Sequence, residues 1–200
     1  MYPGKRVFDI ITTFILIIIL LPLAPLISIL VKIDSKGPVF YKAKRVGRFG
    51  RNFNMLKFRT MINDADQKGP NITGRNDSRI TKLGSLLRKT KIDELPSLIN
   101  VLKGDMSLVG PRPETPAWVA HYPVKTLKVL DVKPGITGPA QIKYRYEESQ
   151  LDVNNIEEQY FQILQDKLAI DINYISEQSL LTDLKIIFKT ILSLKPNRYL

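Results

Sequence analysis

Two adjacent carboxylates, Asp93 and Glu94, stand just ahead of a proline, Pro96, in "KTKIDELPSLINVLKGDM", residues 89–106, in a neighbourhood otherwise rich in lysine and arginine. An ionised carboxylate is a competent nucleophile toward phosphorus. A neighbouring acid can hold Mg²⁺, which needs only one or two carboxylates when phosphate oxygens complete its shell. The same pair has a purely structural reading. Pro96 fits the first turn of a helix, so the spacing predicts a helix from about Glu94 to Lys103, with Asp93 near its N-cap and Gly104 as its stop. Acids at a helix start cap free N–H groups and complement the dipole, and the same terminus favours a bound phosphate. On the pair alone, capping and catalysis both stay open.

The rest of the composition narrows the chemistry. Cysteine is absent and His121 is the sole histidine, which excludes thiol catalysis, Cys-ligated zinc and HExxH metal sites and argues against a Ser-His-Asp triad. Carboxylates, basic residues and hydroxyls remain. Arg112 lies between Pro111 and Pro113, which limit its backbone and suit a guanidinium aimed at a diphosphate. Lys57 and Arg59 alternate with apolar neighbours, so both face one side of a strand, toward phosphate or toward water. Arg88 precedes the carboxylates by about a turn and is a candidate phosphate ligand. In "VKPGITGPAQIKYR", Pro134, Gly135, Gly138 and Pro139 define a tight loop whose polar contacts would be Gln141 and Arg145. Trp118 and His121 read as packing or surface residues.

These residues need elements to hold them. The formal net charge of +11 is uneven: residues 1–146 carry 25 Lys/Arg against 10 Asp/Glu, and residues 147–200 carry 5 against 9. Such asymmetry points to a polyanionic partner, whether nucleic acid, an anionic membrane or a phosphorylated substrate. From Ile10 to Val31 the chain has 22 residues without a charge, about 33 Å as one straight helix and enough to cross a bilayer core of roughly 30 Å. Pro22 and Pro25 interrupt it, leaving halves too short to span. Basic residues flank both ends, so a re-entrant helix–break–helix that returns to the same side satisfies length, prolines and charge together. A proline-kinked spanning helix is the alternative.

Farther on, Val39–Lys44 and Phe53–Phe58 read as a β-hairpin turned at Gly47 and Gly50, and residues 62–80 as a mobile polar surface loop. Ile80, Leu83, Leu86 and Leu87 recur at helical spacing, as do Leu180, Leu181, Leu184, Ile187, Phe188, Ile191 and Leu192, the latter with Asp183, Lys185 and Lys189 on other faces. The last helix would lie on the core or at a membrane interface. The expected architecture is α+β and predominantly helical: a re-entrant membrane segment over 1–34, then a small cytosolic catalytic domain over 35–200 with a short hairpin.

The run "KIDELPSLINVLKGDMSLVGPRP" followed by "VKPGITGPAQIKYRY", with "KRVFDI", "VFYKAKRVG" and "LKFRTM" before it and "KLAIDINYISEQSLLTDLKIIFKTI" after it, resembles the bacterial sugar transferases known as monotopic phosphoglycosyl transferases. The resemblance covers about Lys5 to Ile191 and implies a small form that is the catalytic domain alone. It implies transfer of a sugar phosphate from a nucleoside diphosphate sugar, usually a UDP-sugar, to polyprenyl phosphate at the cytoplasmic face of the bacterial inner membrane. It makes Asp93 the nucleophile that forms a phosphosugar-enzyme intermediate and releases UMP, and links Glu94, with Asp93, to Mg²⁺. Pro22 would be the helix break, although Leu21 stands where the family commonly has serine. The implied partners are the nucleotide-sugar donor, the polyprenyl phosphate acceptor and the membrane, with a homodimer allowed. The competing class is a non-catalytic membrane-surface module that binds lipid headgroups or a partner. Nucleic-acid binding has no recognisable motif.

Overall fold

The computed structural model describes residues 2–69, 72–74, 77–147, 151–152 and 155–193. The uncharged N-terminal run folds as two helices, α1 (Lys5–Leu20) and α2 (Leu23–Asp34), bent by 64° at the break between them. Pro22 and Pro25 account for the break, since neither can donate to the helical ladder. The Leu21 carbonyl that Pro25 cannot serve accepts instead from the Ala24 N–H at 3.3 Å. Among the described residues no single helix is long and apolar enough to cross a membrane, while the bent pair together is.

The hairpin forms as expected: β1 (Phe40–Val46) runs antiparallel to β2 (Asn52–Phe58), with Phe40 opposite Phe58 and Val46 opposite Asn52. Helix α3 (Lys82–Thr90) starts on Thr81, whose side chain accepts from the Gly84 N–H at 2.9 Å. A 3₁₀ segment, Ile92–Ser97, then leads into α4 (Leu98–Lys103), which stops at Gly104 in the left-handed region (φ 96°).

Beyond α4 lies a pairing that the sequence reading lacked. Strand β3 (Ser107–Val109) pairs in parallel with β4 (Gly135–Thr137), and a short α5 (Pro116–Val119) lies in the connection. The approach is so close that a Cβ on Gly135 would fall 2.1 Å from the Gly110 nitrogen. Helices α6 (Pro139–Lys143), α7 (Ile156–Glu177) and α8 (Leu180–Ser193) complete the body. The main core joins Ala43 and Met55 of the hairpin, Leu98 and Val101 of α4, Leu108 and Val109 of β3, Tyr174 and Ile186. Phe8, Leu16, Ile17 and Leu20 of α1 pack against it, so one face of α1 lies on the body. Its other face, with Ile11, Phe14, Ile15, Ile18 and Ile19, is exposed, as is the Leu181–Phe188–Ile191 stripe of α8.

Asp183 lies on a different face of α8 from the apolar stripe, as expected, and that face is inward: it is fully buried, bound by Lys5 Nζ at 2.5 Å, Tyr2 at 2.9 Å and Tyr174 at 2.7 Å. Three donors satisfy one buried carboxylate and tie α8 to the start of α1. One expectation is corrected. The segment 62–80 is not a free surface loop where it is described. Ala65 and Ile72 are buried, and the Arg79 guanidinium holds the segment through the Ala65 carbonyl (3.2 Å) and Asp77 (2.6 Å). Residues 70, 71, 75 and 76 lie outside the described residues, as do parts of the acidic stretch from 147.

Candidate active site

The 3₁₀ turns place Asp93 and Glu94 differently from a simple helix start. Lys91 precedes them in the left-handed region (φ 60°), and neither acid caps α4, whose N-cap Ser97 has no side-chain cap bond. Side-chain capping of α4 therefore does not explain the pair, although both acids stand in the first turn of the 3₁₀ segment, where they complement its dipole. Ser97 instead donates to the Glu94 carbonyl at 2.6 Å and fixes the turn. Both acids are buried, and among the described residues Asp93 Oδ1 has no hydrogen-bond partner.

Glu94 is the hub. Its Oε1 accepts from Lys57 Nζ at 2.8 Å and from the Arg112 guanidinium at 3.0 Å. Burial alone would raise the Glu94 pKa, but the charges of Arg112, Lys57 and Lys91 more than reverse it and hold the carboxyl well below the usual range. Asp93 moves the other way. Burial first and the Glu94 charge second push it up, against Lys57, Lys91 and Arg88. Lys57 is lowered by burial with Glu94 opposing, and the Arg112 guanidinium is raised chiefly by Glu94. Two carboxylates side by side thus have environments that drive their protonation apart, a pattern associated with divided roles in catalysis.

The hairpin, the 3₁₀ turns and the Pro111–Pro113 segment together bring Lys57, Asp93, Glu94 and Arg112 to one place. Arg88, in the last turn of α3, is near enough for its charge to bear on Asp93. Three other expected residues are placed differently. Arg59 is buried away from the site. Its guanidinium donates to the carbonyls of Ser35 (2.7 Å), Lys36 (2.8 Å) and Pro38 (2.6 Å) and to the Ser35 hydroxyl (2.7 Å). It lies one residue past the end of β2 and clasps the end of α2, so the alternation with Lys57 does not bring both to a phosphate. Gln141 donates to the Gly135 carbonyl at 3.4 Å, and its Oε1 is buried without a partner. Arg145 donates to the Lys89 carbonyl at 3.1 Å and the Ser193 hydroxyl at 3.2 Å, which ties its segment to the ends of α3 and α8.

Sequence reasoning missed Lys91, whose charge bears on both acids, and the acids behind Arg112. Glu147, ion-paired to the buried Lys167, and Glu114, which accepts from Tyr160 at 2.6 Å, both act on the guanidinium. Lys91, two residues ahead of Asp93, was legible as part of the motif; Glu114 and Glu147 carried no signal.

As a metal site the residues fit in one way only. Among the described residues no group of three or more His, Asp or Glu side chains converges. Glu94 and the Asp93 carboxyl are the residues that would hold a hydrated Mg²⁺, with phosphate oxygens and water completing its shell.

Comparison with known proteins identifies the family. The family model described as "Bacterial sugar transferase" matches residues 2–195. The chain is 39% identical over 191 residues to a UDP-N-acetylgalactosamine-undecaprenyl-phosphate N-acetylgalactosaminephosphotransferase of Aeromonas hydrophila, covering 94% of this chain and 42% of that protein. It is 36% identical over 195 residues to a UDP-glucose:undecaprenyl-phosphate glucose-1-phosphate transferase of Caulobacter vibrioides, covering 95% of this chain and 69% of the relative. The exopolysaccharide production protein ExoY of Rhizobium meliloti is 35% identical over 203 residues, covering 94% and 84%. The chain thus spans less than half of the Aeromonas protein and most of the other two. A match over nearly every residue, and over the turns that set Asp93 and Glu94, places the chain in the bacterial sugar transferase family.

Proposed function

We propose that the chain moves a sugar 1-phosphate from a UDP-sugar to polyprenyl phosphate, most simply undecaprenyl phosphate, and releases UMP. The observation that carries this reading is Asp93: a buried carboxylate that caps nothing, with one partnerless oxygen, beside an acid already neutralised by two cations. A nucleophile needs an uncommitted lone pair, and this oxygen keeps one beside the cationic cluster. The relatives' names support the acceptor, and since they differ in the sugar, no donor sugar is assigned.

In the first half-reaction an Asp93 oxygen attacks the phosphorus that bears the sugar. The bond from that phosphorus to the bridging oxygen breaks, and UMP leaves with the electron pair. In the second, an oxygen of the lipid phosphate attacks the same phosphorus, freeing the carboxylate and giving the polyprenyl diphosphate sugar. Arg112 and Lys57, fixed by Glu94, supply positive charge where the diphosphate lies. Mg²⁺, held by Glu94 and Asp93, would add neutralisation of the diphosphate charge. The exposed apolar faces of α1 and α2 enter the bilayer as a re-entrant hairpin bent at Pro22, with the body on the cytoplasmic face, where a nearly insoluble acceptor lies within reach. That placement gives the chain a role in the membrane step of glycoconjugate assembly.

The test is UMP release by purified protein in lipid, over a panel of UDP-sugars with Mg²⁺ and polyprenyl phosphate. Wild type should release UMP from at least one donor, and Asp93→Asn should lower turnover by about a thousandfold or more. Release that survives Asp93→Asn, or no release from any donor by folded protein, overturns the reading.

A further inference from the structure

The tip of the hairpin carries a ring that the fold itself does not call for. Between β1 and β2, residues Arg48–Gly50 form one 3₁₀ turn, closed by the Gly50 N–H on the Gly47 carbonyl (3.2 Å) and the Arg51 N–H on the Arg48 carbonyl (3.3 Å). Phe49 takes the left-handed conformation (φ 58°), which a Cβ disfavours and glycine adopts freely. It is 63% exposed, and the Arg48 guanidinium lies over its ring, 4.3 Å from the centre. Strain and an apolar ring in solvent both count against folding, so the ring is explained by something outside the chain.

Beside the tip lies the 3₁₀ segment Val124–Asp131, joined to it by Arg48 Nε, which donates to the Asp131 carbonyl at 2.9 Å. Val124, 85% exposed, and Leu127, also exposed, stand three residues apart on one face of that segment. Residues 47–51 and 124–131 hold four cations, Arg48, Arg51, Lys125 and Lys128, against one acid, Asp131. This basic surface continues to the first membrane helix. Lys133 follows Asp131 by two residues, and a Cβ on Gly104 would stand 3.5 Å from both Lys133 Nζ and the Arg6 guanidinium. Arg6, in the first turn of α1, donates to the Val101 and Leu102 carbonyls at 2.6 and 2.9 Å. The next residue, Val7, begins the outward apolar face of α1.

We propose that the hairpin tip is a second, peripheral membrane contact, in which Phe49 and Val124 enter the headgroup region of a bilayer while Arg48, Arg51 and Lys133 take the phosphates of anionic lipids. The proposal rests on the membrane placement of α1 and α2 given above. Aromatic rings settle in that region, and basic side chains beside them select anionic over zwitterionic lipid. The bilayer is favoured over a protein partner because the tip and the first turn of α1 share one basic surface.

The test uses the full chain in vesicles of phosphatidylcholine, with or without one-third phosphatidylglycerol. Phe49→Trp in a Trp118→Phe background leaves a single tryptophan, at the tip. Lipid brominated near the headgroup end of its chains should quench that emission about twofold in the anionic vesicles and far less in the neutral ones. Adding Arg48→Gln and Arg51→Gln should abolish the difference. Because the chain has no cysteine, a fluorophore on Val124→Cys reads the same contact with Trp118 intact. Emission as in water at both positions overturns the proposal and leaves the tip to a protein partner; equal quenching in the two kinds of vesicle also overturns it. A fluorophore on Ile18→Cys reports the placement of α1 separately. Quenching there with none at the tip removes this proposal alone, and none at either site removes the placement as well. Phe49→Gly should keep or raise the Tm, since it relieves the left-handed strain. A Tm lower by several degrees would make the ring a structural one and overturn the inference.

Discussion

Asp93 sits where its own charge is opposed, and Glu94 where its charge is favoured, so the two acids should leave opposite marks on stability. For Asp93 the folded-state pKa is raised. The folded protein then holds the proton more tightly than the unfolded chain, and stability falls as pH rises from the ordinary aspartate range through the folded value. Asp93→Asn, which cannot ionise, should therefore melt at or above wild type at pH 8 in EDTA, by about 2–4 °C for each kcal/mol relieved, while turnover is lost. A lower Tm would show that the carboxylate is structural after all. For Glu94 the pKa is depressed. Its contribution is present above the ordinary glutamate range and disappears as pH falls through the folded value. Glu94→Gln strips the shared acceptor of its charge and leaves the buried Lys57 and Arg112 cations uncompensated, a loss of about 3–5 kcal/mol by denaturant unfolding at neutral pH. At this scale the sequence showed the pair, Lys57 and Arg112, because proximity to a proline or to a β-alternation limits where a side chain can point. It misplaced Arg59, since alternation fixes a face only while the strand continues, and β2 ends at Phe58.

Among elements, the join between α1 and α8 is the most exposed to a test. Lys5 and Asp183 are both almost completely buried, at 4% and 0% exposure. Removing one partner strands the other in a dry environment, so Lys5→Ala and Asp183→Ala should each cost about 3–5 kcal/mol. The double variant should cost much less than their sum, measured by a double-mutant cycle. Additive losses would mean that the pair is not coupled. The hairpin, α3 and the helix break at Pro22 were all legible, because two-residue alternation, 3.6-residue spacing and a missing proline N–H are local properties. The inward face of α8 was not. Its apolar stripe has the clean spacing of a core face, yet the stripe is outward and Asp183 is inward. Periodicity identifies which residues share a face and is silent on what that face meets. The parallel pairing of β3 with β4 was equally hidden, because three-residue strands separated by a long connection carry no pattern of their own.

For the whole molecule, the proposed placement would bring the exposed apolar surface of α1 and α2, the outward stripe of α8 and the +15 charge of residues 1–146 to a bilayer together. The absence of cysteine makes labelling unambiguous: single cysteines placed at Tyr2 and at Ser35 should both react with a membrane-impermeant maleimide from the cytoplasmic side of inverted vesicles. Reaction of only one from that side would show a spanning helix and displace the hairpin. The central claim, that Asp93 carries the sugar phosphate between two substrates, is tested most directly by intact-protein and peptide mass spectrometry after mixing wild type with Mg²⁺ and its UDP-sugar in the absence of lipid acceptor. The account predicts about one equivalent of UMP, a matching mass increase of one sugar phosphate on the peptide containing Asp93, and its discharge when polyprenyl phosphate is added. UMP released only when the acceptor is present, with no adduct at Asp93, would contradict it and point to direct transfer between the two bound substrates.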